Sequence, residues 1–206
     1  MQSSVQTSAS NDYQFITNWR VFGTLKEVTD IIGDAERLPI WWPSVYLEVK
    51  VLEPGDSRGL GKVVDLYTKG WLPYTLRWHF KVTEVSERGF RIEAEGDFVG
   101  YGVWTFEEDG DWVNVRYEWV VRADKPLLRD LSFVMKPIFS ANHHWAMRKG
   151  EESLQLELAR QRAKTPHEKA LIPAPPPPTT SSPIPLAVAS LVAAFLGWRV
   201  IRAIFR

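Results

Sequence analysis

The sequence predicts an α+β domain in which one long helix lies across the concave face of a curved antiparallel sheet of about seven strands. Three observations carry that expectation. Only one segment, residues 127–162, is long enough as a helix to cross a domain of this size. Upstream of it, β-type runs follow one another with short turn sequences between them, which favours an antiparallel meander. Within those runs apolar and polar residues alternate, so each strand has a dry face and a wet face, and the dry face needs a cover.

Residues 13–22, YQFITNWRVF, read as the first strand. Thr24, Leu25, Lys26 and Glu27 then have the form of a capping box, with the threonine side chain placed to take an orphan N–H and the glutamate reaching back. A short helix starts there and ends near Gly33. Asp34 can cap a second short turn through Arg37, which Pro39 stops. After Trp41, Trp42 and Pro43 the strand-like runs are 45–52, 61–68, 74–85, 90–98, 101–107 and 112–122. Breaks are expected at Pro54-Gly55-Asp56, residues 70–73, residues 86–89, Val99-Gly100 and Asp109-Gly110-Asp111.

Tyr74, Leu76, Trp78, Phe80 and Val82 share one strand face, opposite Thr75, Arg77, His79, Lys81 and Thr83. Likewise Phe90, Ile92 and Ala94 oppose Arg91, Glu93 and Glu95, and Val113, Val115, Tyr117, Trp119 and Val121 oppose Asn114, Arg116, Glu118 and Arg122. The long helix is expected to be entered or kinked at Pro137. At about 100° per residue, Phe139, His143, Met147, Gly150, Leu154 and Leu158 fall on the side that faces the sheet, and His144, Arg148, Glu151 and Gln155 fall on another.

A chain of 206 residues with 45% hydrophobic residues holds one core plus appendages. Its 25 basic residues balance 25 acidic ones and are interspersed with them, so no broad footprint for nucleic acid exists. The absence of cysteine excludes disulfides, thiolate metal sites and a cysteine nucleophile. Neither Gly-x-Ser-x-Gly nor a glycine-rich phosphate loop is present, so hydrolase and kinase readings fall away. Ten Trp, ten Phe and six Tyr can fill a large core or line a cavity for an apolar ligand.

The domain is expected to span 13–163. Residues 1–12 read as a loose start without the basic opening or apolar run of a secretory signal. Residues 164–183 are proline-rich and read as a polyproline II linker. From Ile184 to Trp198 no charge occurs, and continuing to Phe205 gives a helix of about 33 Å against a hydrocarbon core of about 30 Å. Arg199, Arg202 and Arg206 lie on one helical face near the end, where they can snorkel to headgroups, and Trp198 suits the same interface. Residues 184–206 are therefore expected to be a single membrane anchor. An interfacial amphipathic helix and a protein-docking helix are the alternatives. The missing signal favours a cytosol-facing domain, whereas the positive-inside rule points the other way.

Several stretches together resemble the SRPBCC superfamily: Trp19-Arg20-Val21, the paired short helices, DAERLPIWWP at 34–43, Pro54-Gly55-Asp56, GWLPY at 70–74, Gly96-Asp97-Phe98, NHHWAM at 142–147 and GEESL at 150–154. More narrowly, residues 13–162 resemble its polyketide cyclase/dehydrase-like bacterial members. The resemblance implies the helix-grip fold shared with START-like and pollen-allergen-like proteins, with room for a cavity between sheet and long helix. Members bind lipids, hormones or polyketides, act as cyclases or hydroxylase subunits, or serve as carriers. They are usually soluble, so the added hydrophobic segment here shifts the expected ligand toward something lipid-like or membrane-derived.

The candidate ligand wall comprises Trp41, Trp42, Tyr74, Trp78, Trp104, Tyr117, Trp119, His143 and Met147, with the Tyr74 and Tyr117 hydroxyls fixing orientation. Trp41 and Trp42, before a proline, are the candidate lid. His143 could act as an acid, a base or a ligand contact, against the plainer reading of a hydrogen-bonded core histidine. His144 projects about 100° away, which makes the pair a poor metal site. Asp65 and Asp97 could be desolvated bases or could bind backbone at turns, and Arg77, Glu93 and Arg116 read as surface charge pairs. The expected function is membrane-tethered binding of a hydrophobic small molecule. The alternatives are a cyclase/dehydrase-type enzyme using His143, and a membrane-anchored interaction scaffold. No metal, cofactor or nucleic-acid partner is assigned, and the oligomeric state stays open.

Overall fold

A computed structural model of the chain describes residues 12–123 and 126–179. Seven antiparallel strands, β1 (Asp12–Phe22), β2 (Tyr46–Glu53), β3 (Val63–Lys69), β4 (Thr75–Ser86), β5 (Gly89–Gly96), β6 (Phe98–Asp109) and β7 (Trp112–Ala123), form one sheet in the order β1-β7-β6-β5-β4-β3-β2. Between β1 and β2 lie α1 (Leu25–Gly33), a 3-10 turn (Ala35–Arg37) and α2 (Leu38–Trp41). This crossover sends β2 to the far edge from β1, and the remaining strands return one by one to pair with it. Register shifts in the β2–β3 and β4–β5 pairs add local twist and help curve the sheet.

Alternation sets which face is buried. Leu76, Trp78, Phe80 and Val82 of β4, Ile92 and Ala94 of β5, and Val113, Val115, Tyr117, Trp119 and Val121 of β7 all point into the core. The intervening charges pair on the outer face, where Arg77 meets Asp65 at 3.3 Å and Arg116 meets Glu118 at 3.5 Å. Val99 and Gly100, expected to form a turn, lie inside β6 instead. A Cβ at Gly100 would come within 2.1 Å of the Val120 carbonyl oxygen, so the glycine marks a close strand crossing. The reversal sits one step earlier, at Asp97, whose Oδ2 accepts the Arg77 N–H at 2.9 Å.

The long helix α3 (Pro126–Arg162, 37 residues) spans about 55 Å. It begins at Pro126, where a proline's fixed φ suits the first helical position, and continues through Pro137 despite the one backbone hydrogen bond lost there. Pro137 is thus an interior residue and not the helix start. Met147, Leu154 and Leu158 are buried against the sheet and the short helices. Gly150 lets the helix backbone rest on the Trp42 indole, since a Cβ there would lie 2.3 Å from the ring.

Two ion pairs then fix the C-terminal half of α3. Arg37 bonds the buried Glu157 carboxylate, which also accepts Gln161 Nε2 at 3.0 Å. Arg162 reaches both carboxylate oxygens of Glu27 at 2.8 Å and the Phe22 carbonyl at 3.3 Å. Glu27 simultaneously closes the Thr24 capping box. The Arg162 hydrogen bond, reinforced by the Thr24 N–H, holds the Glu27 carboxyl down at about 2.

Beyond α3, the proline-rich stretch contains a short helix, α4 (Pro166–Leu171), started by a second capping box between Thr165 and Glu168. The expected anchor at 184–206 lies outside the described residues. Among the described residues no helix is long and apolar enough to cross a membrane.

Placing a large side chain where α3 meets α2 should loosen the clamp. Gly150→Leu is expected to lower the free energy of urea unfolding by about 1–3 kcal/mol, read as a lower midpoint at unchanged slope. An unchanged midpoint would show that Trp42 and Gly150 do not bear on each other.

Candidate functional site

Two adjoining chambers, of about 130 Å³ and about 290 Å³, lie against the concave face of the sheet. The smaller lies beneath the 139–147 stretch of α3, walled by Tyr13, Phe15, Tyr74, Leu76, Phe98, Trp119, Phe139, Asn142, His143 and Met147. The larger lies beneath α1 and α2, walled by Trp41, Phe80, Val82, Ile92, Trp104 and Phe106, with Asp30, Arg58, Lys62 and Glu87 around its mouth. Trp42, Tyr46, Trp78 and Tyr117 line both and form the partition between them.

The partition follows from strand register and ring packing. Trp78 on β4 and Tyr117 on β7 point inward by alternation, and Trp42 descends from the end of α2. Tyr117 stacks on Trp104 with centroids 4.0 Å apart, Trp78 leans on Trp119 at 5.5 Å, and Tyr46 meets Trp42 edge-on at 5.2 Å. Trp78 Nε1 donates to Thr68 Oγ1 at 3.1 Å, which locks that indole.

His143 stacks on Phe15 with ring centroids 4.0 Å apart, and its buried Nε2 has no hydrogen-bond partner. Burial, reinforced by the neighbouring His144, pushes its pKa down to about 3, so the imidazole is neutral at ordinary pH. Burial also pushes the Tyr46, Tyr74 and Tyr117 phenols upward, and the nearby Tyr13 adds to the effect at Tyr74. All three stay neutral as well. Asn142 is committed to structure, since its Oδ1 accepts the backbone N–H groups of Trp71 at 2.9 Å and Leu72 at 3.3 Å. The smaller chamber is therefore apolar and almost uncharged, with Lys69 at its edge.

All nine residues of the sequence-predicted wall line one chamber or both. Tyr74, Trp119, His143 and Met147 face the smaller, Trp41 and Trp104 the larger, and Trp42, Trp78 and Tyr117 are shared. Trp41 and Trp42 are 1% and 3% exposed, so they form inner wall and not an outer lid. His143 is not a hydrogen-bonded core histidine through Nε2. Asp65 and Asp97 line neither chamber. Tyr13, Phe15, Tyr46 and Asn142 were not foreseen. The odd-numbered inward positions of β1 were a usable signal for the first two, whereas Tyr46 sits beside an irregular pairing that breaks the alternation. Among the described residues no three His, Asp or Glu side chains gather as metal ligands.

No protein-family model and no curated protein matches the sequence. Solved structures do match. The di-domain ARO/CYC BexL, from the BE-7585A biosynthetic pathway, superposes with TM-score 0.60 at 14% identity over 77% of this chain and 53% of that one. TTHA0849 from Thermus thermophilus gives 0.57 at 17% identity, over 69% of this chain and 97% of its own. The Zhui aromatase/cyclase from Streptomyces sp. R1128 gives 0.56 at 16% identity, over 74% and 97%. With the sheet order and the helix across its concave face, these likenesses show that the chain has the helix-grip fold.

The His143 environment predicts a pH dependence. A histidine whose pKa falls on folding takes its proton more readily in the unfolded chain, so its contribution is complete above the ordinary value of 6.5 and lost as pH falls toward 3. Between pH 6.5 and 4.5, above the range where Glu27 titrates, the wild type should lose up to about 1.4 kcal/mol of stability per pH unit more than His143→Phe. Urea unfolding at several pH values measures this. Parallel curves for the two proteins would contradict it.

Proposed function

We propose that this chain binds a hydrophobic small molecule of lipid, isoprenoid or polyketide-like character in the paired chambers, tethered to a membrane through residues 184–206. The observation that carries the reading is the chambers' chemistry: stacked aromatic walls, phenols and an imidazole held neutral, and a few buried polar atoms left without a partner, His143 Nε2 and the Trp41 and Trp42 indole Nε1 atoms. Such a lining welcomes apolar surface and offers a small number of hydrogen-bonding points to orient it. The larger chamber, at about 290 Å³, falls just short of the lower end of ligand-site volumes, about 300 Å³, and only the two chambers together exceed it. An elongated ligand fits best, running through both chambers once the Tyr46 ring turns aside.

Two of the similar structures belong to proteins described as aromatase/cyclases, which supports apolar or aromatic ligands of polyketide type. Binding is favoured over catalysis because of His143 itself. General acid–base work is most effective when the group's pKa lies near the working pH, and a pKa of about 3 leaves this imidazole a neutral contact. The scaffold reading is disfavoured by the two chambers, because a domain that served only as a docking surface has no need of space inside.

Filling the smaller chamber tests the reading. Ala146 lines it from α3, and Ala146→Phe places a ring in the space. The wild type should bind cis-parinaric acid saturably, and the variant at least about tenfold more weakly while still unfolding cooperatively. No saturable binding by the wild type, or equal binding by both, would overturn the proposal.

A further inference from the structure

After α4 the chain does not leave the domain. Arg160 Nη2 donates to the Ile172 and Pro173 carbonyls, and Pro175, Pro176 and Pro178 are half-buried against the domain. At the far end Lys69 Nζ donates to the Thr179 carbonyl, and Thr179 Oγ1 donates to the Gly70 carbonyl at 3.0 Å. Residues 172–179 cover about 22 Å as polyproline II. From Arg160 back to Asn142, which binds the loop after Gly70, α3 covers about 27 Å. The two lengths match, so the strap runs back beside α3 from its C-terminal half to the Asn142 region.

Its end point is specific. Lys69 and Gly70, the two residues that hold Thr179, both line the smaller chamber, as does Asn142. Ile184, where the uncharged run begins, follows Thr179 by five residues and so lies within about 18 Å of that rim. Tyr13 and half-buried Phe139 line the same chamber, with Lys136 placed over the Tyr13 ring at 5.4 Å, and half-buried Trp71 follows Gly70 in the chain. Aromatic rings with lysines beside them suit the boundary between headgroups and acyl chains. The larger chamber opens at the other end of β4, about 36 Å along the strand from Thr75 to Ser86, beside both acidic and basic side chains.

The geometry points to a strap, residues 172–179, that fixes the mouth of the smaller chamber against the lipid bilayer into which residues 184–206 insert, so that an apolar ligand passes between bilayer and chamber without crossing water. This rests on the proposed function, on its membrane anchor at 184–206 for the orientation and on its ligand binding for the purpose. A strand of polyproline II is stiff, and its two ends are tied. The domain is thus held in one orientation and not tumbling on a tether.

Since the natural chain has no cysteine, single labels test the orientation directly. Full-length protein carrying Pro73→Cys, beside the proposed mouth, or Glu87→Cys, at the far end, is labelled with a donor dye and reconstituted into phosphatidylcholine vesicles containing a headgroup-labelled acceptor. Both positions are exposed. Transfer efficiency from position 73 should be at least about twice that from 87, given a separation of roughly 36 Å or more along β4. Inserting about twenty Gly/Ser residues between Thr179 and Ile184 should abolish the difference and slow uptake of a vesicle-borne anthroyloxy fatty acid at least about tenfold. Failure of the chain to float with vesicles, or equal transfer from the two sites, would overturn the inference. Proximity is read without any ligand, so Ala146→Phe should leave it unchanged, which separates failure of the orientation from failure of binding.

Discussion

How α3 is held determines everything else in this molecule. Its C-terminal half is fixed at three points, by Gly150 lying on Trp42, by Arg37 on the buried Glu157, and by the two-pronged Arg162–Glu27 pair. Loss of Arg37 is the costly break among these, because it leaves the buried Glu157 carboxylate without its cation. The sheet beneath curves away from a straight helix, so tight contact at one end leaves space at the other. The smaller chamber under residues 139–147 is the result. Asn142 keeps the helix from collapsing onto that space by bonding the loop after Gly70 instead.

The chamber walls are finished largely with rings, and this has an electrostatic consequence. Burial keeps the Tyr46, Tyr74 and Tyr117 phenols protonated and His143 unprotonated, so the walls present dipoles and π-faces but almost no formal charge. A charge buried deep in the chambers would lose its hydration with nothing to replace it, so the carboxylate of a fatty acid has to stay at the edge beside Lys69. An apolar ligand loses nothing and gains contact. Chemistry and volume therefore agree on the class of ligand, while the Trp42–Tyr46–Trp78–Tyr117 partition sets its shape.

Much of this was legible in the sequence because strand alternation is a local signal. The inward residues of β4, β5 and β7 could be read off every second position, which gave Trp78, Tyr117 and Trp119 of the wall, while His143 and Met147 came from the helical period of α3. Three features were missed for physical reasons. Gly100 looked like a turn because glycine punctuates turns, yet here it serves a close approach between strands. The capping box at Thr165 and Glu168 has the same spacing as the one at Thr24 and Glu27, but the surrounding prolines hid it inside what read as an extended linker. The partition depends on how four aromatic rings orient against one another across long sequence separations. No periodicity encodes that, and neither does it encode the docking of Thr179 onto Gly70.

The central claim is that the space between sheet and helix is made for an apolar guest. Native mass spectrometry of the full-length protein, extracted from its expressing cells in mild detergent and compared with detergent-only and denatured controls, tests it most directly. An apolar small molecule released on denaturation, at close to one per chain, is the expected result. A folded protein whose mass matches the bare polypeptide in every preparation, and which stays bare after incubation with extracted cellular lipid, would contradict the account.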